Sequence, residues 1–191
     1  FVVFPEGPLD AAPQSYVLLA RVEEPEARAR LQRSVVEAHP NVSTLDLAQV
    51  QRAMQLSNRI SINLEAPNQL RLDKLAPKKS FDGELIKPLL WAQEIRDEQP
   101  HLRWASTVTQ FVIGAAGESD VEVLGVTERL HKQAGLTRAY FSAFAPVKDT
   151  PLENLPAEDP WREHRLYQSS YLLRDYGFEL EELPFDARGH L

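Results

Sequence analysis

The chain has 191 residues, 43% of them hydrophobic, with a formal charge of −7, enough apolar material for a folded core and a balance that disfavours nonspecific attraction to nucleic acid or an anionic membrane. It contains no cysteine, which excludes disulfides, cysteine zinc sites, thiol nucleophiles and cysteine-held iron–sulfur clusters. No apolar run is long enough to span a bilayer and no secretory leader pattern is visible; with Phe1 first and Met54 the single methionine, an excised or processed piece is expected.

In chain order, 1–3 is a short apolar start, and 4–14 is a loop punctuated by three prolines and a glycine. SYVLLARV, 15–22, reads as a buried strand. A helix follows from Pro25, with Glu23, Glu24 and Glu26 near its positive end. Its stripe is Leu31, Val35 and Ala38, and it stops at His39-Pro40. NVSTLDL, 41–47, reads as a second strand, and 48–57 as a helix with Val50, Met54 and Leu56 inward. RISINLEAP, 59–67, alternates: Ile60, Ile62 and Leu64 face one way, Ser61, Asn63 and Glu65 the other. In a closed parallel barrel, polar residues on the inward side stand near the mouth, so Asn63 and Glu65 would meet a ligand. An edge strand with a solvated polar face gives the same alternation.

The polar connection 68–80 has room for a turn of helix at 69–75 and bears Arg71, Lys74, Lys78 and Lys79, a solvated run or one that meets a phosphate or carboxylate. An amphipathic helix is predicted over 81–99 with Leu85, Ile86, Leu89, Leu90 and Ile95 inward, Pro88 kinking it or marking its first turn. The stretch STVTQFVIGAAGES, 106–119, joins a strand, a glycine turn and a helix start. Its β-branched and aromatic run has the pattern of a strand covered on both faces. Gly114 and Gly117 permit a tight turn and close approach of a ligand. Ser119 and Glu122 are spaced as a capping box, so a helix is expected over 120–134, ended by Gly135. A strand over 137–146, a loop punctuated by Pro151, Pro156 and Pro160, and a helix over 161–176 ended by Gly177 complete the pattern. The acidic tail 178–191 is expected to fray.

Alternation of strand and helix predicts an α/β fold, a parallel sheet of about five strands, either an open sheet or a partial barrel. All five strands are expected to be mutually adjacent, the N-terminal pair covering an edge that would otherwise be exposed. Ligands of such sheets bind at the carboxyl ends of strands, here at Asn63, Glu65 and the 114–118 turn. The five histidines are scattered and suit surface or capping roles. No nucleophile elbow, Walker loop or dinucleotide fingerprint occurs. The charged run 161–165 is read as a solvated helix face as readily as a catalytic one.

Four stretches carry a family resemblance: RISINLEAPNQLRLDKLAPKKSF, TQFVIGAAGESD, YFSAFAPVKDTPLENLP and REHRLYQSSYLLRDYGF. From about residue 56 onward, or 54–191 as a domain, the chain resembles the later half of a radical S-adenosylmethionine barrel. The similar subgroup is biotin-synthase-like and described as putative DNA modification or repair proteins. The resemblance implies that Asn63 and Glu65 face the ribose and amino-acid end of S-adenosylmethionine. It implies that Gly114, Gly117 and Glu118 lie beside the adenine, and that Ser142, Phe144 and Pro146 form the sixth-strand end. The family's three-cysteine motif, which holds its 4Fe-4S cluster, is missing, as are its second-strand glycine motif and C-terminal helix-hairpin-helix. Where the family has PGTPLE, this chain has KDTPLE.

Residues 1–53, a βαβα segment, resemble instead the extracytoplasmic domain of ABC-transporter permeases of the macrolide-exporter and lipoprotein-release type. A fusion with its seam between Gln49 and Ser57 is the implied organisation. The expected function is a partial barrel that keeps part of a cofactor wall, for a nucleotide-like small molecule, and is inactive alone. The alternatives are a non-catalytic chimera or interaction domain, and a periplasmic permease module. The resemblances imply a cytoplasmic origin for the barrel-like part, 54–191, and an extracytoplasmic one for the permease-like part, 1–53.

Overall fold

The computed structural model describes residues 46–191 and, as backbone, the strand Leu19–Ala20. The helix read between Pro25 and His39 and the greater part of the strand 41–47 lie outside the described residues. So does the rest of the first strand.

Helix starts follow local chemistry. In α1 (Leu47–Leu56) the Asp46 carboxylate accepts the Gln49 amide at 2.7 Å, and the Gln49 side chain accepts the Asp46 N–H at 3.0 Å. This capping box corrects the sequence reading, which had placed Asp46 and Leu47 in a strand. Asn68 caps α2 (Gln69–Leu75), the turn of helix that was expected there. The expected single helix 81–99 divides: a π-helical turn spans Phe81–Ile86, and α3 runs Lys87–Glu98 with Pro88 in its first turn. The Lys87 N–H reaches back five residues to the Asp82 carbonyl. Pro88 has no N–H to carry that wide register onward, so the coil tightens there.

The capping box of Ser119 and Glu122 opens α4 (Asp120–Ala134), and Gly135 closes it in the left-handed region at φ 55°, as expected. Asp159 caps α5 (Pro160–Asp175).

Four strands form one sheet in the order β1 (Leu19–Ala20), β2 (Arg59–Ser61), β3 (Ser106–Ile113), β4 (Leu136–Ala143). Strands β2, β3 and β4 are parallel and alternate with helices; β1 runs antiparallel, Leu19 opposite Ser61 and Ala20 opposite Ile60. The described sheet is therefore three parallel strands with an antiparallel edge. The first N-terminal strand does cover the β2 edge, but in the opposite direction from that expected. An apolar run such as SYVLLARV fixes burial and carries no sign of direction, and an antiparallel edge on a parallel sheet is common.

The helices sit on one side. Phe111 and Ile113 of β3 and Ala139 and Phe141 of β4 join Leu124, Leu130 and Leu166 in one core, with the Phe111 and Phe141 rings stacked at 6.0 Å. Beside it, Val50, Ala53 and Met54 of α1 pack with Ile60, Ala92, Ile95 and Ala105. Helix α1 thus runs unbroken from Leu47 to Leu56, with Ser57 as its extended C-cap, and is seated on α3. The other side of β3 carries Val108, Gln110 and Val112, and among the described residues no helix packs there. Val108 is nonetheless buried on that side, at 3% exposed, and Gln110 and Val112 are partly buried, so the expected covering of β3 on both faces holds at Val108 and lessens toward the end of the strand.

The tail is docked rather than frayed. Leu180, Leu183, Phe185 and Leu191 pack on the main core, the Val121 N–H donates to the Gly189 carbonyl at 3.0 Å, and the Leu191 N–H donates to Asp120 at 2.9 Å. Gly189 has φ 80°, and a Cβ there would stand 2.7 Å from the Val121 side chain. The first turn of α4 has spare N–H groups, and the tail supplies a carbonyl to one of them.

Strand β2 pauses after Ser61. Ser61 stands opposite Val108 and Glu65 opposite Phe111, so β2 carries one extra residue in between. The buried Thr109 hydroxyl fills the break, donating to the Ile62 carbonyl at 2.8 Å and accepting the Leu64 N–H at 3.2 Å. Thr109→Val keeps the shape and strands both backbone groups, so we expect a loss of about 2–3 kcal/mol in chemical denaturation. A loss near zero would show that the break holds without the hydroxyl.

Candidate functional site

The extra residue in β2 sets the geometry of the strand ends. It leaves Asn63 on the side of Ser61, whose hydroxyl donates to the Asn63 Oδ1 at 2.8 Å, while Ile62 and Leu64 turn into the core. Pairing of β3 with β4 sets Val108 beside Arg138, Gln110 beside Tyr140 and Val112 beside Ser142 on that same side. Arg59 Nη1 donates to the Tyr140 hydroxyl at 3.2 Å across it. The side opposite the helices therefore carries Asn63, Gln110, Tyr140 and the exposed Ser142, interleaved with Val112 and the buried Val108 and Ser61.

Glu65 stands at the rim, half-buried, in the left-handed region at φ 63°. Its N–H donates to Gln110 and its carbonyl accepts Val112, at 3.0 and 2.9 Å. Burial pushes its carboxyl above the usual range, against the opposing effects of the Lys79 charge and the Asn63 hydrogen bond.

The glycine turn is organised differently from its appearance in sequence. The Glu118 side chain has no exposed surface, and its two oxygens accept the Gly114 N–H at 2.5 Å and the Ala116 N–H at 3.2 Å. The turn amides that a ligand anion would use are held by the chain's own carboxylate. Gly114 has φ 94°, and the space a Cβ would occupy there is taken by the Glu158 side chain. The absence of a side chain at Gly114 admits Glu158.

Arg162, from the first turns of α5, closes this arrangement. It donates to the Glu118 carbonyl at 2.7 Å, to Asp120 at 2.7 Å and to Glu158 at 2.6 Å, and lies 3.6 Å from the Glu118 carboxylate. Burial lowers its pKa, but its bonds to Asp120 and Glu158 and the nearby Glu118 charge outweigh that and raise it on balance. The His190 Nδ1 lies 3.5 Å from Asp120. Sequence reasoning left the run 161–165 between two readings; its Arg162 is an ion-pair centre. Glu158 precedes the N-cap Asp159 and lies outside the helix, so no helical spacing in the sequence announces the pair.

The basic run of α2 is also committed within the chain. Lys74 and Arg71 donate to the Ala116 carbonyl at 2.8 and 3.5 Å, and Arg71 grips Glu122 with two bonds, at 3.1 and 3.0 Å. The carboxylate that Arg71 meets is Glu122. A Cβ on Gly117 would lie 3.7 Å from both cations.

Of the six residues expected to contact a ligand, Asn63 and Ser142 thus share the side opposite the helices and Glu65 stands at its rim. Gly114, Gly117 and Glu118 form a self-satisfied turn at the next strand end. Among the described residues there is no group of three His, Cys, Asp or Glu side chains that could hold a metal. With no cysteine in the sequence, the residues present do not fit a thiolate-held 4Fe-4S cluster. An open hollow of about 550 Å³ lies elsewhere, between α3 and α4, lined by Leu90, Gln93, Glu94, Asp97, Glu98 and Gln133. No helix of the described residues is long and apolar enough to cross a membrane. Comparison of the chain with protein-family models finds no match, and comparison with curated proteins finds none either.

Two outcomes test this geometry. Arg162→Met leaves buried carboxylates without their cation, and we expect it to cost about 3–5 kcal/mol in equilibrium unfolding; a neutral effect would mean that the turn amides alone satisfy Glu118. Glu122 supplies a pH dependence. Burial raises its pKa, but Arg71, Ser119 and Asn68 together hold it at about 2, against an ordinary 4.5. Its contribution is therefore complete above the ordinary value and fades as pH falls from 4.5 toward 2. Because Glu122 is partly solvated, the difference from Glu122→Gln should be on the order of 1–2 kcal/mol at neutral pH and should vanish in acid. Parallel stability curves for the two proteins across that interval would refute the assignment.

Proposed function

We propose that residues 54–191 are an arc of a radical S-adenosylmethionine-type barrel that keeps part of the nucleoside-facing wall and does not generate the radical. The observation that carries the reading is the one-sided sheet: three parallel strands with helices on one face and Asn63, Gln110, Tyr140 and Ser142 on the other. In a closed barrel of this kind the helix-free face is the interior, and the strands' carboxyl ends form its mouth.

S-adenosylmethionine fits this face by hydrogen bonds to ribose and amino-acid groups, with Glu65 at the rim for an ammonium group and Ser142 on the far strand. The 114–118 turn serves as the wall behind, with Gly117 nearest the basic residues of α2; its amides are already bonded to Glu118 and add no new contacts. When bound, the cofactor would supply a sulfonium and an adenosyl group. The chain's own residues position it and supply no reductant.

A second reading draws on α1. Val50 and Ala53 are buried with Met54 against α3 and β2, so the end of the segment that resembles a permease module would complete the core of the other segment. On that reading the protein is a non-catalytic chimera or interaction domain.

Titration calorimetry with S-adenosylmethionine separates the two. We expect binding no tighter than about millimolar, since an arc contacts only part of the ligand, weakened further by Asn63→Ala and Tyr140→Phe. No heat at saturating ligand favours the interaction reading. After anaerobic treatment with iron, sulfide and dithionite, 5′-deoxyadenosine measured by mass spectrometry should not exceed a protein-free control; product above it would overturn the proposal.

A further inference from the structure

Strand β4 is the outermost strand of the described sheet, so one row of its backbone groups has no strand beyond it. The Phe144 N–H turns inward, to the Ile113 carbonyl at 2.8 Å, so the groups of Phe141 and Ala143 point outward. A terminal strand of this kind invites a neighbour, and proteins usually blunt it with lysine, proline or a covering element. The sequence 136–143, LTRAYFSA, has neither lysine nor proline.

Two side chains from α5 occupy that row. The Tyr167 hydroxyl accepts the Phe141 N–H at 3.1 Å and donates to the Phe141 carbonyl at 3.1 Å. One hydroxyl thereby satisfies both outward groups of Phe141, at the middle of the row an added strand would use. One turn earlier, the Glu163 carboxylate accepts the Ala143 N–H at 2.8 Å. Packing aims the tyrosine: its ring meets Phe141 edge to face at 5.1 Å between centroids. Burial raises the Tyr167 pKa, outweighing the Phe141 hydrogen bond, with Glu163 adding to the rise. The hydroxyl therefore keeps its proton and remains a donor.

We propose that Tyr167 and Glu163 are an edge guard that prevents β4 from pairing with the β4 of a second copy of the chain. The second copy is the fitting occupant because two identical edges meet about a two-fold axis, each offering what the other accepts. Thr137, Tyr140 and Phe141 are also strong strand formers. The guard holds whether or not the chain binds a nucleoside.

The test uses the full chain with Tyr167→Phe, which removes only the hydroxyl, Glu163→Ala, and the double variant. Amide hydrogen exchange by NMR should show Phe141 exchanging about tenfold faster in Tyr167→Phe with Ala143 unaffected, and the reverse in Glu163→Ala. In sedimentation velocity over roughly 10 to 500 µM, the double variant should self-associate more strongly than the unaltered chain. If the double variant is folded by circular dichroism and sediments like the unaltered chain, the guard does not exist. Should the double variant unfold, the single variants decide: an unchanged Phe141 exchange rate in Tyr167→Phe overturns the inference.

Discussion

A carboxylate with no exposed surface must be answered, and the answer to Glu118 organises one end of this molecule. Desolvating an ionised group costs several kcal/mol unless hydrogen bonds and a counter-charge replace the lost water. The glycine turn replaces part of it with the Gly114 and Ala116 amides, which requires the positive φ at Gly114. Arg162 replaces the rest, and in doing so fixes the start of α5 over the strand ends. The same guanidinium holds Asp120, and Asp120 holds the Leu191 amide. Turn, helix and tail thus meet around one guanidinium and the carboxylates beside it. One cation faces three carboxylates here, and the backbone N–H donors make up part of the difference.

The second organising fact is that the described helices lie on one face of the sheet. Helices on one face account for why Phe111, Ile113, Ala139 and Phe141 are apolar, and the register opposite them accounts for the polar row. Thr107 and Thr109 appear on the buried side yet are not errors of pattern. Thr107 accepts from Arg96 at 3.0 Å and donates to the Gly135 carbonyl at 3.3 Å, and Thr109 spans the break in β2. Both hydroxyls answer backbone or guanidinium groups that the core would otherwise leave unpaired.

Much of the fold was legible where its cause is local. The bounds of α4 follow from Ser119, Glu122 and Gly135, all within one turn of its ends, and α2 follows from Asn68. The alternation Ile60, Ile62, Leu64 found the buried side of β2 and the open side of Asn63. What escaped notice depends on distant partners. The break after Ser61 is set by Thr109, the docking of the tail by Asp120 and Val121, and the direction of β1 by its pairing with β2. None of these is encoded in the periodicity of the segment it governs. Pro88 was recognisable as a breaker, but the widened turn ahead of it needed the Ser80 cap and the Lys87 bond to Asp82 to appear.

The candidate site divides on the same line. Asn63 and Glu65 were assigned from strand alternation and Ser142 from the family resemblance, and register is what puts Asn63 and Ser142 on the side away from the helices with Glu65 at its rim. Gly114, Gly117 and Glu118 were assigned from the thought that a glycine turn after a strand leaves room for a ligand. Glycine makes room without specifying the occupant. An acidic residue four positions on can return to the turn and take its amides, and a second, Glu158, can fill the space above Gly114. Both are drawn there because unpaired N–H groups at the end of a parallel strand form a positive concavity, whether the anion that enters belongs to a ligand or to the chain. In this molecule the anions are its own, and the polar side chains of Gln110, Tyr140 and Ser142 stand on β3 and β4 with their amides and hydroxyls outside that bonding.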